Sequence, residues 1–156
     1  MDRTEFLEKV APCSLMCHTC GSYKNGVICK AAGWLYKYMD GLKEFYETHN
    51  QSQAENFNIF FENLESYSAG SCSGCRSKKD CRCSIKGCFI LECTMNHKVD
   101  FCGECVEFPC NKTNTLFEDK VFRQWLSGNR EIQKNGIEAF WEKNCEKPHY
   151  QAYKHF

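Results

Sequence analysis

Residues 13–20 read "CSLMCHTC". Cys13, Cys17 and Cys20 stand there at C-x3-C-x2-C spacing. The run has three readings. Radical enzymes that cleave S-adenosylmethionine hold an iron–sulfur cluster with this spacing. A zinc knuckle needs only the last two cysteines. A disulfide framework would use all three. The choice decides how the chain is held together, and the rest of the sequence bears on it.

The chain has 156 residues, the size of one ordinary domain able to bury a real core. Fourteen of them are cysteine, a density that signals disulfides or metal. Compartment separates these two. The start, "MDRTEFLEKVAPC", is charged and amphipathic, unlike a secretory signal. No later stretch approaches the roughly 18 apolar residues of a membrane span. The expectation is a soluble protein of a reducing cytoplasm, where clustered cysteines serve as metal ligands or redox groups.

Twenty basic and 20 acidic side chains give no net charge. A nucleic-acid binder carries a basic excess or stripe to displace phosphate counterions, so nucleic acid is not an expected partner. The one basic cluster, Arg76, Lys78, Lys79, Arg82 and Lys86, reads as a solvated loop whose cations sit near negative metal–thiolate centres.

The cysteines form two islands, residues 13–29 and 72–110, with Cys145 alone near the end. Helical patterns lie between and after them. Ile28, Leu35, Met39, Leu42 and Tyr46 make an apolar stripe over about 28–48, interrupted by Gly33 and Gly41. Ser52 and Glu55 fit a capping box opening a helix over about 53–67, with Phe57, Phe60, Phe61 and Leu64 on its face. Thr115 and Glu118 fit another, opening a helix over about 115–127 with Phe117, Val121 and Trp125. "SGN" at 127–129 breaks it, and a last helix follows over about 130–145 with Ile132, Ile137, Phe140 and Trp141. The aromatic stripes read as core packing, since aromatics supply much of the buried area. The expected fold is mainly α, with a small α+β variant possible. It is one compact domain over 1–156, with metal-stapled cysteine-rich loops and short hairpins.

Three cysteine pairs have two-residue spacing: Cys17/Cys20, Cys72/Cys75 and Cys102/Cys105. A C-x2-C loop turns two thiolates toward one ion, and two such loops complete a tetrahedral zinc site with Zn–S of about 2.3 Å. One pair is weak evidence; three, with further cysteines nearby, are strong. The other candidate ligands are Cys13, Cys29, Cys81, Cys83, Cys88, Cys93 and Cys110. Fourteen cysteines allow at most three four-cysteine sites, so two or three ions are expected. The ligand sets stay open. Cys72, Cys75, Cys88 and Cys93 make one grouping, with Cys17 and Cys20 joining Cys102 and Cys105. Cys88, Cys93, Cys102 and Cys105 make another. Cys29 and Cys145 sit inside helical patterns and read as small buried hydrophobes. His18 and His97 lie in the islands and read as solvated or hydrogen-bonded rather than ligating. His49, His149 and His155 carry no signal.

Other cysteine chemistries fit less well. A thioredoxin-type pair needs a preceding strand and a following helix dipole, and "PCSLMCHTCGSYKNG" offers no strand. Haem attachment needs C-x2-C-H, but Gly21, Arg76 and Val106 follow the three pairs. A cysteine nucleophile needs a positioned histidine, and no third orienting residue accompanies Cys17 and His18. A radical enzyme of the kind named above needs a large partial barrel, for which the chain is short.

"CSGCR" at 72–76, "CFILEC" at 88–93 and "CGECVEFPC" at 102–110 resemble domain-of-unknown-function family 3795. That family shows "CGLYCxxC", "CxGCR", "CxIxxC" and "CxxCxxYPC" in order. Cys13, Cys17 and Cys20 fall on the first motif, with Ser14 replacing its glycine, and Phe108 stands for the tyrosine of the last. "NREIQKNGIEAFWEK" resembles the family's closing helix. Ile85 stands where a family cysteine often does, so Cys81 or Cys83 takes that role. The resemblance implies cysteine-bound zinc in a prokaryotic cytoplasm, and no reaction.

The expected function is therefore that of a non-catalytic zinc-binding protein with structural cysteine sites and a protein partner. An iron–sulfur redox or sensor protein using the same cysteines is the alternative.

Overall fold

The computed structural model describes residues 1–77 and 80–154. Six α-helices carry the fold: α1 (Arg3–Lys9), α2 (Val27–Tyr38), α3 (Leu42–His49), α4 (Gln51–Ala69), α5 (Ile90–Asn96) and α6 (Asp119–Asn144). Among the described residues no strand forms. The expected hairpins reduce to two isolated bridges, Val10 with Met16 and Tyr23 with Cys72. Between the first two lie Pro12, which has no N–H to give a ladder, and Ser14, whose φ of 63° turns the chain sharply. Mainly α is the observed class.

α6 is the spine. Val121 and Trp125 on its first half pack with Ala11, Cys13, Ile90, Phe108 and Phe117. Ile132, Ile137 and Phe140 on its second half pack with Phe6, Val10, Met16 and Phe101. Fully burying one such side chain contributes roughly 1.5–3 kcal/mol. α1 joins this second cluster through Phe6, and its start is fixed by a capping box. The Asp2 carboxylate accepts from the Glu5 N–H and the Glu5 carboxylate from the Asp2 N–H, each at 2.9 Å.

Several helix limits differ from the sequence reading. The segment expected over 28–48 is two helices, because Gly41 takes φ 78° and breaks the run between α2 and α3. The segments expected over 115–127 and 130–145 are one, α6, which runs straight through "SGN". Gly128 there lets Ser14 approach, and Asn129 is fully buried. The break comes later, at Gly136, whose φ of 83° and ψ of 170° no helix contains. Neither expected capping box forms: α4 is capped at Asn50, whose side chain accepts from Ser52 Oγ, and α6 at Glu118.

α2 and α3 pack in succession along α4, and the three form an arm inserted between the islands. The arm meets the rest through α2 and the turn at Cys17–Thr19. Cys29, Ala32 and Leu64 are its buried side chains, and aromatic pairs such as Tyr36–Phe61 at 4.7 Å and Tyr46–Phe57 at 4.8 Å join its helices. Phe60, expected in the core, is 46% exposed, and Leu35 45%.

Candidate metal centre

Two of the three C-x2-C pairs are wound by the same device. Cys17–Thr19 and Cys102–Glu104 are single 3-10 turns. The Cys20 N–H donates to Cys17 O at 2.9 Å, and the Cys105 N–H to Cys102 O at 3.1 Å. In a 3-10 turn side chains at i and i+3 eclipse, so each turn presents its two thiols on one face. The middle pair is built otherwise. Gly74 takes φ 90°, and the Cys72 sulfur accepts the N–H groups of Gly74 and Arg82, both at 3.4 Å.

Main-chain bonds then join the islands. The Cys72 N–H donates to Ser22 O and the Lys24 N–H to Cys72 O, at 2.8 and 2.9 Å, which sets Cys17 and Cys20 beside Cys72 and Cys75. The Cys102 N–H donates to Pro12 O at 2.9 Å and brings Cys13 near the third pair. Asn129 locks this second junction from α6. Its Oδ1 accepts from the Gly103 N–H at 2.8 Å, and its Nδ2 donates to Ser14 Oγ at 3.0 Å and Trp125 O at 2.9 Å. Gly103 has no alternative here, since a Cβ would overlap the Asn129 carbonyl.

The cysteines gather in two places. Cys93, Cys102, Cys105 and Cys110 line one small cavity, closed by Thr94, His97 and Phe108. Cys13, Cys17, Cys20, Cys72, Cys75, Cys81 and Cys83 line a larger one. Cys88 faces an adjoining hollow that Cys13, Cys75, Cys81 and Cys83 also border. The division runs between Cys88 and Cys93. Cys88 precedes α5 at the Gly87 turn, whereas Cys93 lies inside α5 and points the other way. Cys93 is therefore not grouped with Cys72 and Cys75, nor are Cys17 and Cys20 grouped with Cys102 and Cys105. Cys81, Cys83 and Cys88 are exposed, and Cys13 is buried. No disulfide joins any pair.

Burial sets the thiol acidities. It pushes Cys17 up to about 12 and Cys102 up to about 11, and raises Cys13 and Cys75 well above the ordinary range; neighbouring thiols add to each shift. A bound cation that replaces the proton would offset the cost of the charge there. Two features favour that exchange. The indole N–H of Trp125 is fully buried with no oxygen or nitrogen acceptor, and the Cys102 sulfur it faces is thereby made more acidic. Arg76, expected in a solvated loop, is instead half-buried. Its guanidinium donates to Leu7 O and Val10 O at 2.7 Å and to Asp100 O at 2.5 Å, over the Phe101 ring. Asp100, Cys17, Cys75 and Cys13 are the groups whose negative charge would steady this cation. Lys78 and Lys79 of the same basic run lie outside the described residues.

Among the described residues no group of three or more Cys, His, Asp or Glu side chains is already at ion-binding geometry. The fold supplies proximity, and each thiol keeps one rotatable bond with which to converge. The donors are soft, a set that suits zinc, copper(I) or iron–sulfur centres and not magnesium or calcium.

Of the remaining described candidates, His97 borders the smaller cavity and His149 the larger, and the others lie away from both. Cys29 sits in the arm, its thiol donating to Ser68 O at 3.1 Å. Cys145 ends α6 and lines neither gathering. His97 Nδ1 is 2.8 Å from Cys93 O and 3.7 Å from the Cys93 sulfur, at the wall of the smaller gathering. His18 packs on Trp141 at 5.0 Å, and burial lowers its pKa. His149 Nδ1 lies 2.7 Å from Met16 O, His49 packs on Phe45, and His155 lies outside the described residues. Sequence reasoning missed the supporting roles of Trp125, Asn129 and Tyr150, whose hydroxyl stands 3.5 Å from the Cys20 sulfur and accepts the Gly21 N–H. Their contacts to the cysteine turns span 23 to 130 residues and leave no local pattern.

The model of a protein family of unknown function, DUF3795, matches residues 9–115. The chain belongs to this family. The DUF3795 match takes in both gatherings and the arm between them, and stops before α6. No curated protein and no solved structure matches the chain. Among the described residues no helix is long and apolar enough to cross a membrane.

Proposed function

We propose that this member of DUF3795 is a non-catalytic zinc-binding protein of the cytoplasm, whose ions staple the loops and whose task is to bind a protein partner. The observation that carries the reading is the smaller gathering: four thiols, one from α5, two from a single 3-10 turn and one from the loop after it, around one cavity. Four thiolates and no open position is the composition of a structural zinc site, and catalytic sites keep a position for water. Cys102 and Cys105 face together from their turn, Cys93 opposes them from α5, and Cys110 completes the ring. Zinc bound there would hold α5 to the loops that α6 buries.

A structural ion can contribute about 10 kcal/mol or more to folding. That offsets the entropy of ordering the loops between residues 72 and 116, where regular structure is sparse. The test is metal content and an absorption spectrum on protein purified without oxygen. Colourless protein with at least two zinc ions per chain is the expected result. Iron with sulfide and a brown colour would overturn the zinc reading in favour of an iron–sulfur protein.

A further inference from the structure

The larger gathering has more thiols than one ion can use. Cys17, Cys20 and Cys72 stand at one end and Cys88 at the other. Cys13, Cys75, Cys81 and Cys83 lie between and border both hollows. A tetrahedral ion takes four ligands, so half of these eight sulfurs would be surplus around a single zinc. We propose that this gathering holds two zinc ions joined by shared thiolates, with Cys75 as a bridging ligand. The proposal rests on the zinc reading above and adds the nuclearity of this site.

Cys75 is central. Cys13, Cys17, Cys81 and Cys83 are the neighbours whose charge bears on it, one from the Cys17 end and three from the middle. Its sulfur is 4.0 Å from that of Cys81. Two thiolates on one tetrahedral zinc stand about 3.8 Å apart, given Zn–S of about 2.3 Å, so this pair is already spaced to share an ion. Cys17, in turn, has Cys20, Cys72 and Cys83 as neighbours, a second ligand set at the other end.

Charge favours sharing. Two zinc ions with eight separate thiolates carry four negative charges, whereas six thiolates, two of them bridging, carry two. The cation built into this site is Arg76, held by three main-chain carbonyls beside Cys13, Cys17 and Cys75. One guanidinium suits the smaller negative charge, because unpaired charge in a half-buried site is costly. Each thiol that binds releases its proton to solvent. With six sulfurs engaged, two of the eight remain as thiols, and Cys88, exposed and at the far end, is one position that tolerates this.

Cadmium-113 replaces zinc in thiolate sites and is magnetically active. The test is native mass spectrometry and cadmium-113 NMR of the full chain loaded with that isotope. The expected result is three ions per chain, with two resonances that split each other through a shared sulfur and a third unsplit, from Cys93, Cys102, Cys105 and Cys110. Three unsplit resonances, or two ions in all, overturn the shared cluster and leave the zinc reading standing. No bound metal overturns both. The unaltered chain is used, so a misfolded variant cannot obscure the result. Cys75→Ser then checks the bridge: the splitting should vanish, and its survival would remove Cys75 from that role.

Discussion

The arm and the cysteine-rich body are built on opposite terms. The arm, α2 to α4, is nearly all helix, yet Trp34 and Tyr38 are 65% and 67% exposed and Leu64 is its one buried large side chain. The body between α4 and α6 has one seven-residue helix and three 3-10 turns, yet Phe101 is fully buried and Ile90 nearly so. Regular structure and burial are thus uncoupled here. In the arm, helix hydrogen bonds and half-exposed aromatic pairs hold the chain. In the body, long-range main-chain bonds and Asn129 do so around α6, and the proposed metal at the thiol gatherings would add to them.

This contrast predicts where substitutions will hurt. The largest effect should come from Cys102→Ser. It should lower metal content by about one ion, remove most of that site's contribution to folding and loosen residues 72–116. Metal analysis and thermal melting would read it; full metal and an unchanged Tm would remove Cys102 from the ligand set. Trp125→Ala comes next. The side chain is fully buried against Phe108, Phe117 and Phe122, and its loss should cost about 3–5 kcal/mol in denaturant unfolding. Arg76→Met should cost less, about 1–3 kcal/mol for carbonyls left without a donor. It should also weaken metal retention by the larger gathering against a competing chelator, while that of the smaller gathering stays the same. Phe60→Ser, on the exposed side of the arm, should stay within about 0.5 kcal/mol. A larger loss would mean that the arm is packed more tightly than its exposure implies.

The same contrast explains what the sequence made legible. Period 3.6 is a local signal, so the helices of the arm and of α6 were readable from stripes such as Phe57, Phe61 and Leu64. Their limits were not. Gly41 and Gly128 look alike in sequence, yet Gly41 turns the chain and Gly128 sits inside a helix against Ser14. Only the tertiary contact distinguishes them. Spacing likewise found the cysteine pairs, because a C-x2-C turn is local. It could not divide Cys88 from Cys93, since that depends on α5 beginning between them. Arg76 looked like one more loop cation, and its three carbonyl partners come from 24 to 69 residues away.

The central claim is that metal at the cysteines holds the body, whereas packing holds the arm. Hydrogen exchange read by mass spectrometry tests it directly, on protein purified without oxygen and compared before and after chelation under reducing conditions. The account predicts that amide protection falls sharply over residues 10–24 and 72–116 and persists over 27–69. Protection unchanged over 72–116 after the metal is gone, or lost first in the arm, would contradict it.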